Sequence, residues 1–411
     1  MGWLGAVRSL LIVRSLPIGD SERMRDLYPT AIRAHVDLGH ETFVLQSDAK
    51  WTPEADAFAR QLGATLVPEA RDRPRRPGWN EALRDPLLFG PRRRFASAVN
   101  AAEDCFARVG LPDVITGLTS TKYSGVPGYL LAMRHGIPLV IWEHLTHYQR
   151  PELSWPSRLR ARRALQHCNR LVAVSEPLLA NIRTSLRLEL PQGGVLPNPI
   201  VDSFFEPPAA PLDDVEHFRS GRFLCAGWTN WRDFKRVDVF LRAMARLPAD
   251  DICAAIAGPV PGNTPRLLRR LGLDEQVLLL GPLARPRIHA LAHLADCCVV
   301  SSDHETFGLP AVEAMAAGTP LVTTRCGGPE NLIREPYLGR VVPRRDPEAL
   351  ARAIRDVRQN PKRFPSSRIR DHAWKFYAER PFRHYWADLY QRLFLELDRD
   401  PWVHDVSISP A

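Results

Sequence analysis

Glu305-Thr306-Phe307-Gly308-Leu309-Pro310-Ala311-Val312-Glu313 is the stretch that decides how this chain is read. Ahead of it runs Leu294-Ala295-Asp296-Cys297-Cys298-Val299-Val300, a short apolar run ending at Ser301-Ser302, which predicts a buried strand. Behind it, Ala311 to Gly318 is small and apolar, and Pro310 sits where a first helical turn tolerates proline. Glu305 is therefore expected on a strand-to-helix loop, and Glu313 in the opening turns of the helix. Backbone N–H groups around Gly308 and Leu309 then form a helix N-terminus, which favours a phosphate. Two carboxylates flanking an anion site suit a ligand with hydroxyls at both ends and phosphates between, the form of a nucleotide sugar.

At 411 residues the chain is long enough for two domains with separate cores. Its 45% hydrophobic and 25% charged content is that of a soluble globular protein. No apolar run approaches the ~20 residues of a membrane span. Leu10-Leu11-Ile12-Val13 is brief and followed at once by Arg14, so it is expected to be a first strand rather than a signal peptide. Seven cysteines are scattered without Cys-x-x-Cys spacing, several inside apolar runs, as buried reduced thiols would be. This points to a reducing cytoplasm and away from zinc. The formal charge of +9 comes from arginine, with only five lysines present. Arg71, Arg73, Arg75, Arg76, Arg84, Arg92, Arg93 and Arg94 cluster in one Pro-rich segment, and Arg158, Arg160, Arg162 and Arg163 open a helical one. Either cluster is a solvated face or a surface for anionic lipid or an anionic acceptor. No nucleic-acid module accompanies the charge, so nucleic acid is not an expected partner.

Along the chain, strand-like runs alternate with helical ones. Leu10–Val13, Gly39–Leu45, Asp113–Thr116, Pro138–Trp142 and Arg170–Ser175 read as strands, with helices at about 21–38, around Tyr129–Arg134 and from Glu176. A Pro-rich stretch, Glu206-Pro207-Pro208-Ala209-Ala210-Pro211, follows as a linker. Alternation resumes at Arg222–Gly227, Ile252–Gly258 and Val277–Gly281. Repeated strand–helix–strand units imply parallel, doubly wound sheets. The expected architecture is α/β: two Rossmann-like domains with parallel sheets facing a cleft, spanning residues 1–205 and 206–377. A C-terminal helix and tail, 378–411, are expected to return to the first domain.

The segment from Glu305 to Glu313, with Gly318-Thr319-Pro320 downstream, resembles the acidic signature of retaining GT-B glycosyltransferases of the family-4 type (glycosyl transferases group 1). The resemblance extends over nearly the whole chain, through Gly39-His40-Glu41, Leu196-Pro197-Asn198-Pro199, Gly281-Pro282-Leu283 and Gly327-Gly328-Pro329-Glu330. It implies a GT-B hexosyltransferase of the EC 2.4 type that moves a sugar from a UDP- or GDP-sugar to an acceptor hydroxyl with retention. Glu305 would hold the donor sugar and Glu313 the ribose, with Phe307, Gly308 and Leu309 between them. Lys235 would neutralise the diphosphate, a physical need because the leaving group gains negative charge. The family commonly has Arg after the glycine where this chain has Gly227-Trp228, and Arg232 is the candidate to replace it. His144 follows a first-domain strand where relatives have a catalytic-site His, although a histidine closing a strand is as often structural. Gly19 stands on the first strand–helix loop, where a glycine lets backbone approach phosphate. Leu280 to Leu283 would face the base. His35 and His40 are expected to be structural.

No metal or other cofactor is expected, since Lys235, Arg232 and helix-terminal N–H groups can carry the charge. Asp398-Arg399-Asp400 lies in the C-terminal tail and reads as coincidence. A nicotinamide enzyme would need Gly-x-Gly-x-x-Gly after an early strand, and the loop after Val13 has only Gly19. A GT-B protein that has lost catalysis and binds nucleotide sugar as a partner is the remaining alternative. The acceptor, whether glycan, lipid-linked or small molecule, lies beyond the motifs, as does the pathway, with surface glycan, glycolipid or natural-product synthesis all compatible. The expected location is cytoplasmic, peripheral at the inner face of an anionic membrane.

Overall fold

The structure, a computed structural model, describes residues 7–14, 16, 27–47, 52–68, 93–120, 124–149, 153–189 and 193–399. Its described residues divide into two compact units. The first holds the residues up to Val174, Leu178–Pro199 and those from Glu379 onward; the second holds Ile200–Ala378 with Ser175–Pro177. The chain thus passes between units at Pro199 and Ile200, ahead of the Pro-rich stretch, which lies within the second unit. Local bonding accounts for the position. Ile200 N–H donates to the Tyr377 carbonyl (2.7 Å), and Phe205 meets the Trp374 ring edge-on at 4.9 Å.

In the first unit the strands are β1 (Arg8–Val13), β2 (Glu41–Gln46), β3 (Thr65–Leu66), β4 (Val114–Gly117), β5 (Leu139–Glu143), β6 (Arg170–Ala173) and β7 (Gly193–Val195). They form one sheet in the order β3-β2-β1-β4-β5-β6-β7, every pair parallel. β1, β4, β5 and β6 are buried along nearly their whole length, as continuous apolar runs covered on both faces must be.

The helix Glu379–Arg399 belongs to this unit and is held by an aromatic and polar cluster. Trp142 of β5 meets Phe382 and Trp386 at 5.2 and 5.7 Å between ring centroids. His35 Nδ1 must donate to the Ala31 carbonyl (2.8 Å), which leaves Nε2 to accept from the Tyr390 hydroxyl (2.8 Å). Tyr390 in turn accepts from Thr116 at 2.6 Å. Burial pushes the His35 imidazole down to about 3, in keeping with this neutral tautomer.

The second unit has β8 (Phe223–Trp228), β9 (Ile252–Ala257), β10 (Val277–Gly281), β11 (Cys297–Val300), β12 (Leu321–Thr324) and β13 (Gly339–Val342). The order is β10-β9-β8-β11-β12-β13, again all parallel. Strand order reverses between β8 and β11. In such sheets the crevice outside the carboxyl ends of the two strands at the reversal is where ligands bind. The expected α/β fold of two Rossmann-like sheets is what the structure has. All seven cysteines are free and buried, and among the described residues no helix is long and apolar enough to cross a membrane.

Candidate active site

The β11 loop and the helix after it carry the acidic stretch. The helix spans Leu309–Ala317, with Pro310 in its first turn and Gly308 as its N-cap. Gly308 adopts φ +89°, and a Cβ there would stand 2.5 Å from Pro329. No other residue fits that turn without moving the neighbouring loop. Among the described residues the N–H groups of Gly308 and Leu309 have no acceptor, while the Gly308 carbonyl takes Ala311 N–H at 2.9 Å. The helix thus presents open donors and its positive dipole end.

Glu305 is placed by backbone. Its N–H donates to Cys326 (2.8 Å) and its carbonyl accepts from Gly328 (2.9 Å), an isolated parallel bridge to the loop after β12. Only 7% of Glu305 is exposed. Its carboxylate is ion-paired with Lys235 and accepts the Ser302 hydroxyl at 3.0 Å. Lys235 comes from the loop after β8, a 3₁₀ turn at Asp233–Lys235 closed by Arg236 at φ +56°. That turn is clasped by the β11 loop. Asp303 N–H donates to the Phe234 carbonyl (2.7 Å), and the Ser301 hydroxyl donates to the carbonyls of Lys235 and Arg236 (3.0 Å each). The two loops at the strand-order reversal are therefore one bonded unit, with Lys235 and Glu305 at its centre.

Glu313, 4% exposed, is occupied by the chain itself. The Trp228 indole N–H donates to one carboxylate oxygen and the Arg285 guanidinium to the other, each at 2.6 Å. Arg285 also lies 4.6 Å over the Phe204 ring. Trp228 thus does more than displace an arginine: from the end of β8 it fixes the rotamer of Glu313. Leu283, half-buried, follows β10 after Gly281, whose carbonyl accepts Gly258 N–H at 2.6 Å. Arg232 is exposed and lines a cavity whose lining does not include Lys235. Gly19 and Arg71 to Arg92 lie outside the described residues, and so do the side chains of Arg93, Arg94 and the Asp398-Arg399-Asp400 triplet.

His144 belongs to the first unit. It follows β5, is 8% exposed, and its ring packs at 4.3 Å from Trp142. Neither ring nitrogen meets a hydrogen-bond partner in good geometry among the described residues, although the Asn198 side chain beside it pulls the pKa upward. Burial dominates and pushes the imidazole down to about 3, so it is neutral across the physiological range.

Three residues that matter here were not singled out from sequence. Arg285 opens a helix, Arg285–Leu294, with no acidic residue in its first turn. A cation at that end opposes the dipole, and this was the available signal that it has a carboxylate partner elsewhere. Asp303 is buried and gripped by Arg345 through contacts of 2.8 to 3.1 Å. Glu143, fully buried, accepts the N–H groups of Ser120 (2.7 Å), His144 (2.9 Å) and Leu145 (2.8 Å) as well as the Ser120 hydroxyl. Desolvation raises its pKa against those four donors. It organises the turn that carries His144.

Comparison with known proteins agrees with the fold. Two parallel Rossmann-like sheets in one chain define the GT-B class of fold. The chain aligns over 95% of its length with sucrose-phosphate synthase from Thermosynechococcus elongatus (TM-score 0.73, 19% identity, all of that chain covered). It aligns over 94% with Anabaena Alr3699/HepE in complex with UDP (TM-score 0.70, 18% identity, all of that chain covered). The family model for Glycosyltransferase Family 4 matches residues 30–204, and that for Glycosyl transferases group 1 matches residues 220–360. Together these matches place the chain in the family-4 type of glycosyltransferases. A D-inositol 3-phosphate glycosyltransferase of Mycolicibacterium gilvum is 37% identical over 150 residues, 34% of this chain and 33% of that protein. One from Streptomyces coelicolor is 33% identical over 144 residues, 32% of each chain. The chain thus matches about a third of the length of these relatives.

Proposed function

We propose that this protein transfers a sugar from a nucleotide-sugar donor to an acceptor hydroxyl, with retention at the anomeric carbon. The observation that carries this is the pairing, at the strand-order reversal, of Lys235 and the open N–H groups of Gly308 and Leu309 with two buried glutamates. The diphosphate lies against the N–H groups and Lys235, Glu305 holds sugar hydroxyls, and Glu313 holds the ribose. Phe307 supports the loop between them, and Leu283 with its neighbours meets the base through backbone groups. The anomeric C–O bond to phosphate breaks, a C–O bond to the acceptor forms on the same face, and the acceptor proton passes to the departing phosphate oxygen. Charge on that phosphate is met by Lys235 and the helix N-terminus, which is where electrostatic stabilisation is worth most. No metal is required in this scheme. Arg232 is a further donor to the diphosphate, and Gly19 lets backbone approach it.

The second unit, 206–377 as read from sequence, is the donor domain. The first, 1–205 with the helix and tail 378–411, takes the acceptor, a glycan, lipid-linked or small molecule, with the neutral His144 near it. Trp155, 65% exposed beside exposed Arg158 and Arg163, supports peripheral docking of the first unit on an anionic membrane at the cytoplasmic face. Arg162 is instead committed to the Leu186 carbonyl at 2.8 Å.

One observation favours a second reading, an inactive nucleotide-sugar-binding partner. Both oxygens of Glu313 are satisfied by Trp228 and Arg285, so ribose must share or displace a donor. Nucleoside diphosphate release from a panel of nucleotide sugars decides between them. Turnover with at least one donor, abolished in Glu305→Gln, is expected of the transferase; binding without turnover, under any acceptor tried, is expected of the partner.

A further inference from the structure

The second unit contains a cavity of about 470 Å³ whose lining leaves out Lys235, Glu305, Gly308, Leu309 and Glu313. One wall is the turn after β8 and the helix Val237–Met244; the other is Pro261 and the helix Thr264–Arg270. Five arginines reach it: Arg232, Arg236 and Arg242 from the first wall, Arg266 and Arg270 from the second. Two aspartates line it as well. Asp238 is held by Arg236 at 2.8 Å, which leaves Asp233 against four guanidinium groups. Among the described residues Arg232, Arg242, Arg266 and Arg270 have no carboxylate partner.

An isolated surface arginine is ordinarily just solvated. Five converging on one concavity with only two aspartates leave it net positive, and an anion bound there lowers that electrostatic energy. Guanidinium forks match phosphate oxygens in pairs. Thr264, 1% exposed, also lines the cavity, and its hydroxyl has no hydrogen-bond partner; nor has the buried Nε of Arg236. Unsatisfied polar atoms at a basic concavity are those a polar ligand would complete. The volume is that of a small-molecule site. Because the cations stand on both walls, a ligand with anionic groups at two ends engages more of them than a single phosphate does.

We propose that this cavity binds a soluble small molecule carrying two or more phosphate groups, at a site separate from the one that holds the nucleotide sugar. The proposal does not depend on the glycosyl-transfer reading: of the residues which that reading assigns it shares only Arg232, and Arg236, Arg242, Arg266 and Arg270 carry it without Arg232.

Isothermal titration of inorganic pyrophosphate into the full chain, at physiological salt, tests it. Saturable binding is expected, and in Arg266→Glu/Arg270→Glu the affinity of that component falls about tenfold or more. Both arginines are exposed, so this variant should melt with the wild type. Arg269→Glu/Arg363→Glu makes the same charge change at exposed positions outside the cavity and is expected to retain binding. Absence of saturable binding overturns the proposal. So does equal loss in both double variants, which would mean general charge attraction, and so does no loss in the first, which would mean pyrophosphate sits only at Lys235. Sedimentation with phosphatidylglycerol vesicles separates the two sources of phosphate. Vesicle binding lost in Arg266→Glu/Arg270→Glu, with pyrophosphate inert, would assign the arginines to lipid headgroups and overturn the soluble-ligand proposal.

Discussion

Replacing Glu313 by alanine perturbs two things at once, and the structure separates them. The carboxylate takes a buried indole N–H from Trp228 and a guanidinium from Arg285, each at 2.6 Å. Arg285 is 31% exposed and can be rehydrated, so its loss costs little. The Trp228 N–H is buried and stranded, a cost of about 1–3 kcal/mol. Stability should therefore fall by roughly 2 kcal/mol, read from chemical denaturation. If Glu313 also accepts the ribose diol, a charged acceptor worth about 1.5–3 kcal/mol is lost, weakening nucleoside diphosphate affinity roughly 10- to 150-fold. Trp228→Phe is the companion variant. It removes the indole donor and keeps the carboxylate, so it should lose stability while nucleotide affinity stays within a few-fold of wild type. Calorimetry with UDP and GDP reads both variants. A folded Glu313→Ala protein with unchanged affinity for the nucleotide that wild type binds would refute the ribose assignment, and leave Glu313 as an anchor for Trp228 and Arg285 alone.

Lys235→Ala should reduce turnover on the order of 10²–10³ while changing donor affinity less, because diphosphate charge grows mainly in the transition state. It also removes the buried counter-charge of Glu305, so Lys235→Ala/Glu305→Gln should recover stability without recovering turnover; recovery of turnover would refute the electrostatic role. Arg232→Ala should match the turnover loss if Arg232 replaces the arginine displaced by Trp228, and kinetics unchanged from wild type would sink that substitution. His35 and His144 are held neutral in the fold at about 3, against an ordinary value of 6.5 when unfolded. The unfolded chain then binds more protons below pH 6.5, so their contribution is full above that pH and is lost progressively as pH falls toward 3. At pH 5 each should have cost about 2 kcal/mol, and stability that stays flat from pH 7.5 to 5 would show that the rings are not buried neutral. Anionic vesicles should sediment the protein at low salt and release it as salt rises, with neutral vesicles inert; equal binding to both would point to an apolar anchor instead.

Much of the fold was legible because parallel strands buried on both faces leave continuous apolar runs, as at Leu10–Val13 and Ile252–Ala257. The loop-to-helix placement of Glu305 and Glu313 was legible for a local reason: Pro310 and Gly308 fix that turn within a few residues. What sequence could not show is which side chains from other elements meet there. Trp228 read as a departure from the family pattern, and only the positions of β8 and the helix Leu309–Ala317 reveal it as the donor to Glu313. Arg285 and Glu313 are 28 residues apart and share no motif. His144 read as a catalytic-site candidate, whereas burial holds its imidazole neutral, and burial is not written in local spacing. The arginines of the cavity lie on the turn and helix before β9 and on the helix after it, so they appear in sequence as ordinary basic residues.

The central claim is that the β8 and β11 loops hold a nucleoside diphosphate sugar between Lys235, the helix N-terminus and the two glutamates. A crystal structure with the nucleoside diphosphate that the enzyme releases tests it most directly. The account predicts phosphate oxygens roughly 2.7–3.1 Å from the N–H groups of Gly308 and Leu309 and from Lys235 Nζ, with the ribose hydroxyls on Glu313. A nucleotide seated elsewhere, with those N–H groups facing solvent and Glu313 still closed by Trp228 and Arg285, would contradict it.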